Sequence, residues 1–390
     1  MRFGSVSDLT CPINIVDAAG RLRQRIAFAG GRHSDMSDRE YAVFGQDHWS
    51  ISSRLAADLG IRTESQAVTH SFRVAPRAGI AWVPFENSGT VVRAGFGLFY
   101  DRVPLNVYSF DSYPIRVVTM FGEDGEPAAG PFFFTNALGQ VNIHSRWVFH
   151  KHVPGDFSPR SSTGNVEIEQ FVAPFLKLRV GYMQNQSAGL VTMNTHGPDP
   201  ETRIGAYELS GDGQSRYQQF EITARLRDGE NREAFFSFVR SRTRGDLNDF
   251  NSYLGTFPTP IIRPNYDGIL PGDVPNRFLA WGVLGLPHGF QIAPIMEYRS
   301  GFPYAVVDGG QNYVGVPNRN RYPSFLSLDS RFSKDLKLSS KYTVRVSLVT
   351  YNLTNHFNPT ALHNNVADGA YGLFFGSRGR RHTADFDVLF

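Results

Sequence analysis

Residues 176–183 read Leu-Lys-Leu-Arg-Val-Gly-Tyr-Met. Leu176, Leu178, Val180 and Tyr182 occupy one parity, and Lys177, Arg179, Gly181 and Met183 the other. A period of two with one apolar parity is the signature of a β-strand whose faces meet different surroundings. Phe220, Ile222, Ala224 and Leu226 alternate with Glu221, Thr223, Arg225 and Arg227 in the same way, and Leu55, Ala57, Leu59 and Ile61 with Ala56, Asp58, Gly60 and Arg62. Val92 through Tyr100 repeats the pattern around Arg93, and Ala384, Phe386, Val388 and Phe390 repeat it at the end of the chain.

Extending this reading gives about 13 candidate strands, each long enough to cross a bilayer at a tilt. They are predicted at 40–49, 55–63, 73–83, 91–100, 160–171, 176–185, 216–227, 233–241, 276–286, 289–300, 326–333, 342–352 and 381–390. The connections fall into two alternating classes. Short ones are expected at 50–54, 84–90, 172–175, 228–232, 287–288 and 334–341, and long ones at 101–159, 186–215, 242–275, 301–325 and 353–380. Only 64–72, in the long series, is modest. Turns on one side of a membrane and long loops on the other produce this asymmetry, and a soluble sandwich has no reason to. The predicted fold is therefore all-β, an antiparallel up-and-down transmembrane barrel.

Composition agrees. The 390 residues include 32 Phe, 16 Tyr and 4 Trp, which favour pleated surfaces, and 38 Gly and 23 Pro, which favour turns. A balance of 39 basic against 36 acidic residues leaves no footprint for nucleic acid. Cys11 is the single cysteine, which excludes an internal disulfide. No apolar run is long enough for a membrane helix. MRFGSVSDLTCPINIVDAAG (1–20) has no basic start followed by an apolar core, so it does not read as a secretory leader. With short turns placed in the periplasm, strand 381–390 ends there, and strand 40–49 descends from the outside. Both observations lead to the expectation of a truncated barrel, with 1–39 the remnant of an extracellular loop and 40–390 the C-terminal barrel portion.

Several stretches resemble one family in order. They are EYAVFGQDHWSISSRLAADLGIRTE (40–64), APRAGIAWVPFENSGTVVRAGFGLFYDR (75–102), VPNRFLAWGVLGLPHGFQIAPIMEYRSGFPYAV (274–306), YPSFLSLDSRFSKDL (322–336), VRVSLVTYNLTNHFNPT (344–360) and FDVLF (386–390). Together they resemble the C-terminal barrel of Oar-like TonB-dependent receptors, the group that often carries a carboxypeptidase-regulatory-like domain. The resemblance implies a barrel of about 22 strands, closed by a plug domain and opened by an inner-membrane energy transducer. It also implies outer-membrane lipid and the outer-membrane assembly machinery as partners, with Ala384, Phe386, Val388 and Phe390 as the terminal-strand assembly signal. Asp385 stands where glycine is common in that signal. Plug, TonB box and roughly nine strands are missing, so energised uptake by this chain alone is not expected.

Seven charged residues project to the polar parity of their strands: Asp58, Arg62, Arg93, Lys177, Arg179, Glu221 and Arg225. They are candidate lumen residues, lining a pore, pairing with one another or contacting a plug. Trp49, Trp82, Tyr100, Tyr298 and Phe390 sit near strand ends, where aromatic anchors belong. His144, His150 and His152 in HSRWVFHKH fit no zinc spacing and read as exposed imidazoles. Asp246, Asp249, Asp267 and Asp273 share one long loop and read as solvated rather than as a calcium site. Gly95-Phe96-Gly97 lies within a strand and reads as a relief of crowding, not a nucleotide fingerprint. No nucleophile–base or cofactor motif is present, so no enzyme and no cofactor are expected. The alternatives are a surface barrel that binds glycans or proteins, and a secreted soluble all-β protein.

Overall fold

The computed structural model describes residues 12–29, 35–86, 89–110, 115–133, 148–153, 156–196, 199, 201–202, 204–229, 232–250, 263–310, 312–339 and 341–389. Cys11, His144 and Phe390 lie outside these residues, and the side chains of His150 and His152 are not described.

Thirteen strands form one antiparallel meander, each bonded to its neighbours in sequence order. They are β1 (Glu40–Ser52), β2 (Leu55–Gln66), β3 (Ser71–Trp82), β4 (Thr90–Tyr100), β5 (Arg160–Ala173), β6 (Leu176–His196) and β7 (Ile204–Arg227). The path continues through β8 (Arg232–Asp246), β9 (Asn276–Leu286), β10 (Phe290–Arg299), β11 (Phe325–Lys337), β12 (Thr343–Tyr351) and β13 (Arg381–Leu389). Every strand expected from the alternation is present. The path is open, with β1 and β13 as its two edges.

The register shows why the alternation is so clean. Residues directly opposite in an antiparallel pair share a face. One continuous row reads Leu55, Trp82, Val92, Ile168, Val180, Ile222, Phe238, Phe278, Tyr298 and Leu326, apolar at every strand from β2 to β11. The row starts at the short-turn end of β2 and reaches the long-loop end of β10. Such a drift is the stagger that strand tilt imposes on a sheet curling toward a barrel. Leu59, Ile61, Phe72, Val74, Ile80 and Phe96 share this apolar face and are exposed on it. Trp49, Trp82, Tyr100 and Tyr298 lie on the same face. Large apolar side chains covered by nothing on a sheet this size require an apolar surrounding.

The long-loop end is more ordered than the alternation suggests. The stretch 186–215, expected as a loop, instead continues the β6–β7 hairpin as far as His196 and Ile204, with register shifts at Ala188/Leu190 and Leu190/Thr192. Beyond the apolar band a strand has no need of an apolar face, so its pattern fades while its backbone pairing persists. Asp267–Ile269 pairs with β8, and Val148–His152 pairs parallel to β7. A separate four-stranded sheet joins Ile13–Val16 and Leu22–Ala29 to Ile115–Phe121 and Pro127–Phe133, which belong to the β4–β5 connection. Val103, Val107, Phe110, Phe157, Met193, Tyr207, Leu209 and Phe250 form a buried core among these loops.

Candidate functional site

The other face of the meander is polar. Following the register from Arg93 leads to Glu167, Gly181, Glu221, Val239, Arg277 and Arg299. All seven charged candidates lie on this face. Asp58 and Arg62 reach it on β2, Arg93 on β4, Lys177 and Arg179 on β6, and Glu221 and Arg225 on β7.

Five of the seven form a ladder of ion pairs across β4 to β8. Arg93 Nη1 is 3.0 Å from Glu167, and its Nη2 is 4.0 Å from Glu169. Lys177 Nζ meets Glu169 at 2.8 Å. Arg179 bridges Glu167 at 3.6 Å and Glu221 at 3.1 Å, and Arg225 binds Glu233 at 2.6 Å. Glu221 also accepts hydrogen bonds from Gln219 and Ser237, at 3.0 and 3.4 Å. These four cations are neutralised by carboxylates across the strands. Asp58 instead pairs with His48 at 2.8 Å, and Arg62 with Glu64 at 2.9 Å. Glu167, Glu169 and Glu233 were missed as candidates, although Glu167 and Glu169 stand at i and i+2 on the polar parity of a recognised strand.

Toward the long loops the polar face becomes an anchor. Arg73 is 3% exposed and donates to the carbonyls of Asp101 and Phe157, at 3.1 and 3.0 Å, and to Ser71 Oγ at 3.0 Å. Gln66, 4% exposed, bonds both the N–H and the carbonyl of Val103 and donates to Asp38 at 2.8 Å. Burial raises the Asp38 carboxyl. Hydrogen bonds from Gln66, Val68 and Arg39, with the Arg102 charge, outweigh it and hold the group below the usual carboxylate range. Two side chains at the ends of β2 and β3 thus clamp both ends of the 101–159 connection. Only contacts far apart in sequence reveal this role.

Asp273 and Asp246, two of the four aspartates at and after the end of β8, are engaged within the protein. Asp273 is 2% exposed and forms an ion pair with Arg321, and Asp246 accepts bonds from Gln214 N–H and Asn265 Nδ2, at 2.6 and 2.7 Å. No group of metal-ligating side chains occurs among the described residues. Gly95 and Gly97 share the polar face with Arg93. A Cβ at Gly95 would come within 2.9 Å of Asn165 Oδ1, so a larger residue there would displace the Asn165 amide. At the chain end, Ala384, Phe386 and Val388 lie opposite Leu348, Val346 and Val344 on the apolar face.

Comparison with known proteins agrees with this geometry. TonB-dependent transporter Oar of Myxococcus xanthus is 23% identical over 243 residues, 58% of this chain and 20% of that protein. Among solved structures, the outer membrane transporter YddB of Escherichia coli superposes with a TM-score of 0.61 at 13% identity, covering 96% of this chain and 48% of that one. The siderophore receptor PirA of Acinetobacter baumannii superposes with a TM-score of 0.59 at 12% identity, covering 97% of this chain and 53% of that one. The FrpB iron transporter of Neisseria meningitidis gives 0.53 at 13% identity, covering 90% and 45%. The chain thus spans a fifth of its curated relative and about half of these receptors. The family model described as outer membrane beta barrel domain matches residues 67–321, well over half of the chain. With an apolar face continuous from β2 to β11, an Oar-like sequence and that match, the chain belongs to the outer membrane beta-barrel domain family and resides in the outer membrane.

Proposed function

We propose that this chain forms part of the wall of a TonB-dependent-type transporter and acts in substrate uptake with a plug domain and an energy transducer, without catalysing a reaction. The carrying observation is the two-faced meander, apolar row on one side and ion-pair ladder on the other. On this reading the apolar face meets lipid and the polar face lines the lumen, where Asp58, Arg62, Arg93, Lys177, Arg179, Glu221 and Arg225 lie. The ladder braces the wall: charges neutralised by one another hold neighbouring strands in register and leave little net field for attracting a substrate. The long loops, with the small sheet that includes Leu22–Ala29, face outward, and the turns face the periplasm. Ala384, Phe386, Val388 and Phe390 serve as the recognition strand for the assembly machinery.

The faces can be tested by site-directed spin labelling. Ala78 lies on the apolar face and Ala81 on the polar face of β3. Ala78→Cys and Ala81→Cys, each in a Cys11→Ser background, are labelled in the chain reconstituted into phosphatidylcholine vesicles. Oxygen, which partitions into hydrocarbon, is expected to relax the label at 78 more strongly. A water-soluble nickel complex is expected to relax the label at 81. Equal nickel accessibility at both positions overturns the reading.

A further inference from the structure

From the ion-pair ladder toward the long loops, the polar face changes character. One row of the ladder runs Arg93, Glu167, Gly181, Glu221 and Val239 across β4 to β8. The next row outward is Gly95, Asn165, Met183, Gln219 and Ser241. Gly97, Thr163, Asn185, Tyr217 and Thr243 follow. The last row is Phe99, Ser161, Ser187, Ser215 and Gly245. These three outer rows hold no acidic or basic side chain. With strands about 4.8 Å apart and a rise of about 3.4 Å per residue, they form an uncharged field of about 19 Å by about 14 Å. Arg77 borders it on β3, opposite Gly97, and its guanidinium carbon lies 5.9 Å from the centre of the Phe99 ring.

The field is built from amides, hydroxyls and an aromatic ring. Asn185 Nδ2 donates to Thr163 Oγ1 at 2.7 Å, Ser187 Oγ to Asn185 Oδ1 at 3.2 Å, and the Tyr217 hydroxyl to Gln219 Oε1 at 2.6 Å. Gln219 Nε2 donates in turn to Glu221 at 3.0 Å, so the ladder orients the amide beside it. These bonds fix the amides without exhausting them, because a carboxamide has two N–H donors and two acceptor lone pairs. The Asn165 amide and the Ser161, Ser215 and Thr243 hydroxyls have no hydrogen-bond partner among the described residues. Phe99 is 44% exposed. A Cβ at Gly97 would come within 2.7 Å of its ring, so the ring lies over Gly97 in the space the glycine leaves free.

We infer that this field binds a neutral oligosaccharide. The inference rests on the reading that the polar face lines the lumen of an uptake protein, and it names the substrate class. Each hydroxyl of a sugar both donates and accepts, as do the amides and hydroxyls of the field, and an exposed aromatic ring stacks on the apolar C–H face of a pyranose. A charged ligand finds no counter-charge here. The nearest carboxylates and cations, in the ladder, already neutralise one another, and taking a charge out of water without a partner is unfavourable. Single neutral hydrogen bonds contribute little each, so a ligand that spans several rows is favoured over a monosaccharide.

The test uses the full chain in detergent micelles, labelled with a fluorophore at Cys11, on an array of gluco-, manno-, galacto- and N-acetylglucosamine oligosaccharides printed beside sulfated and sialylated ones. The wild-type chain is expected to retain at least one neutral series about tenfold more strongly than the acidic glycans, with little change between low and high salt. Asn185→Ala/Gln219→Ala and Phe99→Leu are each expected to lower that retention about tenfold. Phe220→Leu, on the apolar face, is expected to leave it unchanged. Unaltered heat-modifiable gel mobility shows that each variant folds. Retention of no glycan overturns the proposal, and so does a salt-sensitive preference for the acidic ones. Neutral retention unchanged in both field variants overturns the site. The nickel accessibility of the label at Ala81→Cys separates this failure from that of the lumen reading. A label reached by nickel with no glycan bound overturns the substrate class alone, and one that nickel does not reach overturns the lumen reading itself.

Discussion

The two faces of the β6–β8 segment carry arginines on different terms. On the polar face, Arg179 and Arg225 lie against Glu221 and Glu233, and the charges cancel within the sheet. On the opposite face no charge occurs from Leu176 to Tyr182 or from Leu226 to Phe220, and the arginines that follow form no ion pair among the described residues. The difference teaches what each side expects of its surroundings. Wet polar walls are stabilised by internal pairing, hydrocarbon tolerates no charge, and beyond the hydrocarbon water solvates charges that have no partner in the sheet.

The largest effect is expected from placing a charge on the wrong face. Leu59 lies on the apolar face of β2 and Asp58 on the polar one. Leu59→Arg is expected to destabilise the protein in vesicles by about 2–4 kcal/mol if the position lies near the bilayer midplane, and less toward an interface. Asp58→Arg loses only a half-exposed contact with His48 and is expected to have a much smaller effect. Heat-modifiable mobility across a urea series reads both. Equal effects at 58 and 59 would mean that the two faces do not differ in their surroundings.

A smaller effect sharpens the comparison on the polar side. Glu221→Gln keeps the shape of the side chain but removes the charge that Arg179 meets at 3.1 Å. Because the pair is partly exposed, the loss is expected to be about 1 kcal/mol or less, shrinking further as salt is raised. The urea midpoint at low and high salt measures it. A salt-independent loss would assign the effect to packing rather than to charge.

The smallest effect is expected beyond the hydrocarbon, with the opposite sign. Arg216→Gln removes one of two like charges placed opposite each other. In neutral phosphatidylcholine vesicles it is expected to stabilise the chain by a few tenths of a kcal/mol. A clear destabilisation there would show that Arg216 has a partner within the protein.

Much of this architecture was legible in advance because the bilayer imposes a local rule. A strand with lipid on one side and water on the other must alternate, and the alternation at 176–183 or 220–227 needs no knowledge of distant residues. The same rule placed the seven charged candidates on one face. It failed where the bilayer stops. The hairpin beyond Ala188 kept pairing after its pattern faded, and the core around Phe110, Leu209 and Phe250 was assembled from three separate connections.

The sequence by itself determined the strands, their two faces and the division into short turns and long loops, because each depends on neighbours two residues apart and on the width of a membrane. Tertiary structure alone decided which charges meet. Arg93 finds Glu167 across 74 positions, Arg73 holds the Phe157 carbonyl across 84, and Arg216 is left facing Arg244. Those pairings follow from register. Register is set by the whole stack of hydrogen-bonded strands, and a shift of one residue in any of them would turn each side chain to the other face.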